Sequence, residues 1–349
     1  MKNFIAIENH TYKEIKEIIE LADFLKIEKN KYNQLLKNKT LISIFFNPST
    51  RTKTSFDLAI NQLGGHCITL EPGKSSWGIE IEEGVIMNNN NEEHLKDSTN
   101  VLCRYADALA VRCFPKFINW KKEKKDMILH NMIKWSNKPV INMETISHPC
   151  QALSMLMTIK EKFGSFDNMK GKKFVLTWAY HSKGLNTAVA NSAAMIASMT
   201  GMDVTIANPD GYNLDNDYIE QFKKNCSSNN AKFEIVNNME EGVNNADIVY
   251  IKSWGPIEEY GKFQTNEFLE KHSKNKNWIV NNDIMQKTNN AYVSHCLPVK
   301  RNMLVTDSVL DSKNSLIYDE AENRLHVQKA ILTKLLCTKE KIDNLTKGN

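Results

Sequence analysis

Short apolar runs alternate with helical-period segments through most of this chain, and that rhythm is the pattern of a parallel α/β sheet. Strands are expected at Thr40–Phe46, Cys67–Glu71, Ala108–Arg112, Val140–Met143, Phe174–Trp178, Val204–Ala207, Phe233–Val236, Ile248–Ile251 and Tyr292–Cys296. Helices between them include Thr52–Leu63, Glu92–Tyr105, Gln151–Phe163, Thr187–Met199 and a last one from Arg324 to about Cys337. The elements fall into two groups. With 349 residues the chain exceeds the roughly 250–300 residues at which a single core stops growing. The expected fold is therefore α/β, with two doubly wound parallel-sheet domains, residues 1–150 and 151–323, and the active site in the cleft between them. The last helix, residues 324–340, is expected to pack back on the first domain.

Charge narrows the partner. Forty-five basic against 41 acidic residues leave a formal charge of +4. Local runs such as "KKEKKD" read as solvated helix faces, with no basic stripe interleaved with aromatics, so a nucleic-acid partner is not expected and a small molecule is. The seven cysteines, widely spaced and without a C-x-x-C pair, read as reduced thiols. The N-terminus lacks a basic lead followed by an apolar segment, and no apolar run reaches the ~18 residues of a membrane span. A cytoplasmic location is expected. The asparagine run Asn88–Asn91 reads as an exposed loop of the kind that can cover a site.

Four strand ends carry chemistry. In "FFNPSTRTKTSF" the residues Ser49, Thr50, Arg51, Thr52 and Thr54 follow a strand and open a helix. Backbone N–H groups from Ser49 to Lys53, the helix dipole and a forked guanidinium would together hold an anion such as phosphate. Arg112 ends "AVR"; Glu144, His148, Cys150 and Gln151 follow "VINM"; His295, Cys296 and Leu297 end "YVSHCL" before Pro298. Each feature alone has a plain reading: a Ser-capped helix, an edge arginine in a salt bridge, a satisfied loop histidine.

Together, "STRT", "HPCQ" and "HCLP", in this order over nearly the whole chain, resemble the aspartate/ornithine carbamoyltransferase family. Longer strings, "RYADALAVRCFPKFINW", "FVLTWAYHSKGLNTAVANS" and "DEAENRLHVQKAIL" among them, are similar to the branch acting on N-acetyl-L-ornithine in an acetylated route of arginine biosynthesis. The resemblance implies transfer of a carbamoyl group from carbamoyl phosphate to the δ-amine of the acceptor, with neither metal nor cofactor. It implies that Ser49, Thr50, Arg51 and Thr52 cradle the phosphate and that Thr52, Arg112, His148 and Gln151 surround the carbamoyl group, with Arg324 adding positive charge. Glu144 and Lys252 are implied for the acceptor, and the Leu297 carbonyl for orienting its amine. Cys296 is either a nucleophile or a residue lining the amine's position. Neighbouring side chains on a strand point to opposite faces, which leaves His295 badly placed to activate it and favours lining.

The family's ornithine-specific members carry an S-M-G loop for the free α-ammonium, and "KSWGPIEEYG" lacks one, as suits an acylated α-nitrogen. Trp77 and Glu92 lie in a loop that in relatives reaches the neighbouring subunit's site, which implies a homotrimer; taken alone they read as a partly buried surface Trp and a first-turn helix Glu. Lys53 stands where the wider family has Arg. The run "VKRNMLVTD" looks as much like N-succinylornithine relatives as acetyl-specific ones, so the succinyl acceptor stays open. A non-catalytic phosphate sensor is the alternative of a different class. It would need the Ser49–Thr52 cradle but not His148, Gln151 and Cys296.

Overall fold

The computed structural model describes residues 1–27 and 31–347. The chain divides into two compact units. The first is built from Met1–Pro115, Lys122–Cys150 and the chain from Arg324 onward; the second from Lys116–Lys121 and Gln151–Asn323.

In the first unit, β1 (Thr40–Phe45) and β2 (His66–Leu70) are followed by two short strands, β3 (Ile79–Glu80) and β4 (Glu93–His94), and then by β5 (Ala108–Arg112) and β6 (Val140–Glu144). The main sheet runs β2-β1-β5-β6, all parallel. Its order spreads outward in both directions from the β1/β5 pair, and beyond the carboxyl ends of such a pair a doubly wound sheet leaves a crevice for ligand. Ile42, Ile44, Leu109, Val111 and Val140 are buried among Leu95, Leu129 and Met132 of the covering helices. The outer edge of β6 is covered by the start of the chain, where Phe4 N–H donates to Val140 O (3.0 Å) and Phe4 O accepts from Asn142 N–H (2.8 Å).

The second unit contains β7 (Lys173–Trp178), β8 (Asp203–Ala207), β9 (Phe233–Val236), β10 (Ile248–Lys252) and β11 (Tyr292–Ser294), ordered β11-β10-β7-β8-β9 and again all parallel. Here the reversal falls at β7/β10. The helix Ala188–Ser198 is buried along its whole length, as its Ala- and Ser-rich sequence permits. A break near residue 150 does not place Lys116–Lys121, which belong to this unit: Phe117 O accepts from Gly261 N–H at 2.8 Å, and the Trp120 indole donates to Asp215.

Three expected boundaries move. The helix expected from Glu92 is Leu95–Tyr105, with the His94 ring accepting from Lys96 N–H at its start, so Glu92 lies in the loop ahead of β4 and not in a first helical turn. β11 stops at Ser294, which puts His295 and Cys296 beyond the strand. The helix expected over residues 324–340 runs Ile317–Leu336 and is followed by another, Lys339–Lys347, so Arg324 sits two turns inside the first of these. Asn88, Asn89 and Asn90 are exposed, as expected of a loop, while Asn91 is half-buried, and the side chains of the run are used. Asn89 donates to Glu80 at 2.8 Å and helps, after the Glu82 N–H, to bring that carboxyl down to about 2.

Candidate active site

The helix after β1 is Thr50–Gln62, beginning two residues earlier than its apolar period suggested. Ser49 caps it in extended conformation, its hydroxyl accepting from Thr52 N–H at 3.2 Å. That donor is therefore engaged by the protein's own cap, and the N–H groups left for an anion are fewer than the sequence implied. Thr52 is buried, and its Oγ1 accepts from Arg324 Nη2 at 2.5 Å. Thus the helix Ile317–Leu336 delivers a guanidinium to the first turn of the helix Thr50–Gln62, within one unit. Arg51 occupies the same turn, half-buried, while Lys53 is turned outward to Glu71 at 2.9 Å.

One strand over, a register slip decides the geometry. β5 and β6 pair Leu109 with Val140, Ala110 with Ile141 and Val111 with Asn142, then skip a residue so that Arg112 stands opposite Glu144. Bulges of this kind re-aim side chains, and they concentrate next to active sites. Both residues are buried, and Arg112 Nη1 donates to Glu144 Oε2. His148 Nε2 lies 3.3 Å from the same carboxylate oxygen. The Arg112 guanidinium also lies over the Phe114 ring at 4.5 Å. Glu144, which the resemblance implies for the acceptor, pairs with Arg112 and lies beside His148 at the carboxyl edge of the first sheet. Cys150 is fully buried beside them, and burial pushes its thiol up to about 12, which removes it as a nucleophile.

In the second unit Lys252 ends β10 at the β7/β10 reversal, its Nζ donating to Ser253 O at 3.0 Å. Beyond β11 the strand-alternation argument about Cys296 does not apply, because neither His295 nor Cys296 is in the strand. A different fact bears on activation. Leu297 N–H donates to His295 Nδ1 at 2.8 Å, so that nitrogen's lone pair is occupied and cannot take the thiol proton. Leu297 itself sits at φ 52, uncommon for a branched residue, which turns its peptide away from the strand direction. Gln151 is buried in the first turn of the helix Pro149–Phe163, where its Nε2 donates to Glu320. Trp77 is 69% exposed, and Glu92 is exposed too; the structure brings neither to these groups within the chain. Among the described residues no cluster of three or more His, Cys, Asp or Glu could hold a metal, and no helix is long and apolar enough to cross a membrane.

Residues 2–161 match the model of the carbamoyl-phosphate-binding domain of aspartate/ornithine carbamoyltransferases, and residues 173–335 that of their Asp/Orn-binding domain. The chain belongs to the aspartate/ornithine carbamoyltransferase family. Within that family it is 43% identical to the N-acetylornithine carbamoyltransferase of Xanthomonas campestris pv. campestris, across 96% of this chain and 98% of that one. The N-succinylornithine carbamoyltransferase of Bacteroides fragilis is 34% identical, with 96% and 99% covered. A solved acetylornithine transcarbamylase complexed with acetylcitrulline superimposes with a TM-score of 0.93 at 43% identity, over 97% of this chain and all of that one. A glutamate-to-serine variant of N-acetyl-L-ornithine transcarbamylase, solved with carbamyl phosphate and N-succinyl-L-norvaline, gives the same TM-score at the same identity.

Two buried carboxylates that accept hydrogen bonds beside these residues escaped the sequence. Glu320 lies one helical turn before Arg324, on the same face, but outside the helix as first bounded. Asp126, buried, accepts from Thr145 in the loop carrying Glu144 and His148; nothing in "KKEKKDMIL" separates it from the charged run it ends.

Proposed function

We propose that this protein transfers the carbamoyl group of carbamoyl phosphate to the δ-amine of N-acetyl-L-ornithine, giving N-acetyl-L-citrulline and phosphate, in an acetylated route to arginine. The observation that carries the reaction class is the donor set at the carboxyl edge of the first sheet: the Ser49–Thr52 helix start, Arg324 on Thr52, and Arg112 aimed by the β5/β6 slip. Acetyl is preferred to succinyl because the chain is nearer in sequence to the acetylornithine relative, at 43% against 34% identity.

In this reading Ser49, Thr50, Arg51 and Thr52 hold the phosphate. As the neutral amine attacks, negative charge grows on the carbonyl oxygen, and Arg112, His148 and Thr52 supply donors preplaced for it. One such donor typically accounts for ~2.7–4 kcal/mol of the barrier. Lys252 meets the acceptor's α-carboxylate, the re-aimed Leu297 carbonyl orients the amine, and Cys296 lines its approach. Transfer is direct, with no enzyme-bound carbamoyl. Trp77, Glu92 and the exposed Val85, Ile86 and Met87 belong to a loop that completes the site of a neighbouring subunit in a cytoplasmic homotrimer.

The test is incubation with carbamoyl phosphate and N-acetyl-L-ornithine, N-succinyl-L-ornithine or ornithine, reading released phosphate and ureido product by mass spectrometry. N-acetyl-L-citrulline is expected as the main product. Absence of phosphate release with every amine would remove the enzyme reading and leave a phosphate-binding sensor.

A further inference from the structure

One buried carboxylate has no part in that scheme. Glu320 is 1% exposed, and three elements of the second unit donate to it. Gln151 Nε2, at the start of the helix Pro149–Phe163, donates to Oε1; the Tyr250 hydroxyl donates to the same oxygen at 2.9 Å; and the Ser294 hydroxyl donates to Oε2. An ionised carboxylate taken out of water is costly unless such donors replace its hydration. These three are not scattered. Tyr250 lies two residues before Lys252 on β10 and so shares its face of the sheet. Ser294 is the last residue of β11 and leads directly into His295, Cys296 and Leu297.

A carboxylate accepts and does not donate. It therefore decides which end of the Gln151 amide turns toward it, a choice the amide alone leaves open. With Nε2 committed to Glu320, the Gln151 amide is held in one orientation.

We propose that Glu320 is a positioning residue for carbamoyl transfer: it orients the Gln151 amide and fastens the ends of β10 and β11 that present Lys252 and Cys296–Leu297. The inference rests on the carbamoyltransferase reading above. Arg324 reaches the cradle from the next turn of the same helix, so one helix supplies both the phosphate's extra cation and the anchor of the acceptor-side strand ends.

The test compares wild type, Glu320→Gln, Tyr250→Phe and the double variant, with carbamoyl phosphate affinity read by calorimetry and kcat by phosphate release. Glutamine at 320 keeps the volume but can offer its own N–H groups, so the Gln151 amide loses its bias. The expected loss is about 100-fold in kcat, on the scale of a mispositioned catalytic group, with a smaller loss of carbamoyl phosphate affinity, about tenfold or less, because Gln151 meets only the carbamoyl end and the Ser49–Thr52 cradle is untouched. Tyr250→Phe, the gentler change, should lower kcat about threefold to tenfold and add little to Glu320→Gln, since the two share one hydrogen bond. Equal losses in affinity and kcat, additive effects, or a Glu320→Gln variant as active as wild type would each overturn the proposal while wild-type turnover keeps the enzyme reading. No turnover in the wild type would remove both.

Discussion

Arg112 faces Glu144, and not Met143, because the β5–β6 ladder skips one residue at its carboxyl end. The slip joins a buried guanidinium to a buried carboxylate, which also lies 3.3 Å from His148. Removing one partner of such a pair strands the other. Glu144→Ala should cost about 3–5 kcal/mol of stability, and Glu144→Gln less because one oxygen still accepts. Urea unfolding measures both. Glu144→Gln should also weaken carbamoyl phosphate binding roughly tenfold by releasing Arg112, a change of about 1.4 kcal/mol. If only the acceptor's KM moves, Glu144 serves the acceptor and the pairing with Arg112 is incidental.

Thr52→Val keeps the branched shape and deletes the oxygen that Arg324 holds. Hydrogen bonds to charged groups contribute about 1.5–3 kcal/mol, so carbamoyl phosphate affinity should fall roughly tenfold to a hundredfold. The acceptor's KM should stay put. Calorimetric titration of carbamoyl phosphate against both proteins reads the first number, and an unchanged affinity would detach Arg324 from the phosphate.

Glu92 stands exposed ahead of β4, in a loop whose shape is set by Glu80 and Asn89. If that carboxylate reads the acyl group, it would repel the terminal carboxylate of a succinyl group, and ~1.4–3 kcal/mol of repulsion would give tenfold to hundredfold discrimination. Glu92→Ser should therefore raise kcat/KM for N-succinyl-L-ornithine and lower it for N-acetyl-L-ornithine. An unchanged ratio of the two would show that Glu92 does not read the acyl group.

Trp77→Ala and Arg51→Ala should each be nearly inactive alone, yet regain part of the activity when the two proteins are mixed and allowed to exchange subunits. Hybrid trimers would contain sites with an intact Arg51 and a neighbour's intact Trp77. Mixtures no more active than the sum of their parts would argue that each subunit completes its own site.

Burial pushes the Asp126 carboxyl from 3.8 up to about 6, against the hydrogen bond from Thr145. The folded state thus holds this proton more tightly than the unfolded chain does. Its stabilising contribution is complete below pH 3.8 and disappears as pH rises through about 6, for a total of about 3 kcal/mol. Asp126→Asn cannot ionise. Its unfolding free energy relative to wild type should therefore shift in the variant's favour by about 1–3 kcal/mol between pH 4 and pH 7. A difference that is flat with pH would place the titration elsewhere.

The strands and the Ser49-capped helix start were legible because their signals are local. Apolar runs of about five residues mark β1, β5 and β6, and Ser49 after Pro48 announces a cap. Glu320 was not legible. The helix that carries it starts at Ile317 behind Leu316, with no Ser, Thr, Asp or Asn to cap it, and its acidic first turn, Asp319 and Glu320, was the only remaining sign of a start. Nor was the register slip, since nothing in "AVRCF" or "VINMET" encodes which residues pair across a ladder. The end of β11 was misplaced because nothing in "YVSHCL" marks where the backbone leaves the sheet. Long-range partners decided each of these, and sequence period does not report them.

The first unit is written in three pieces, and the last of them is the chain from Arg324 onward. That piece is fastened to the beginning: Lys334 to Glu17 at 3.0 Å, Lys341 to Leu35 O at 2.7 Å, Arg324 to Thr52 at 2.5 Å. During translation the four strands of its main sheet leave the ribosome long before the helix that braces them. All of Gln151–Asn323 is synthesised in the interval, so the unit encoded second is the first to be fully available for folding. The helix start at Ser49–Thr52 therefore waits for Arg324, and a nascent chain stalled before that residue carries Thr52 without its guanidinium.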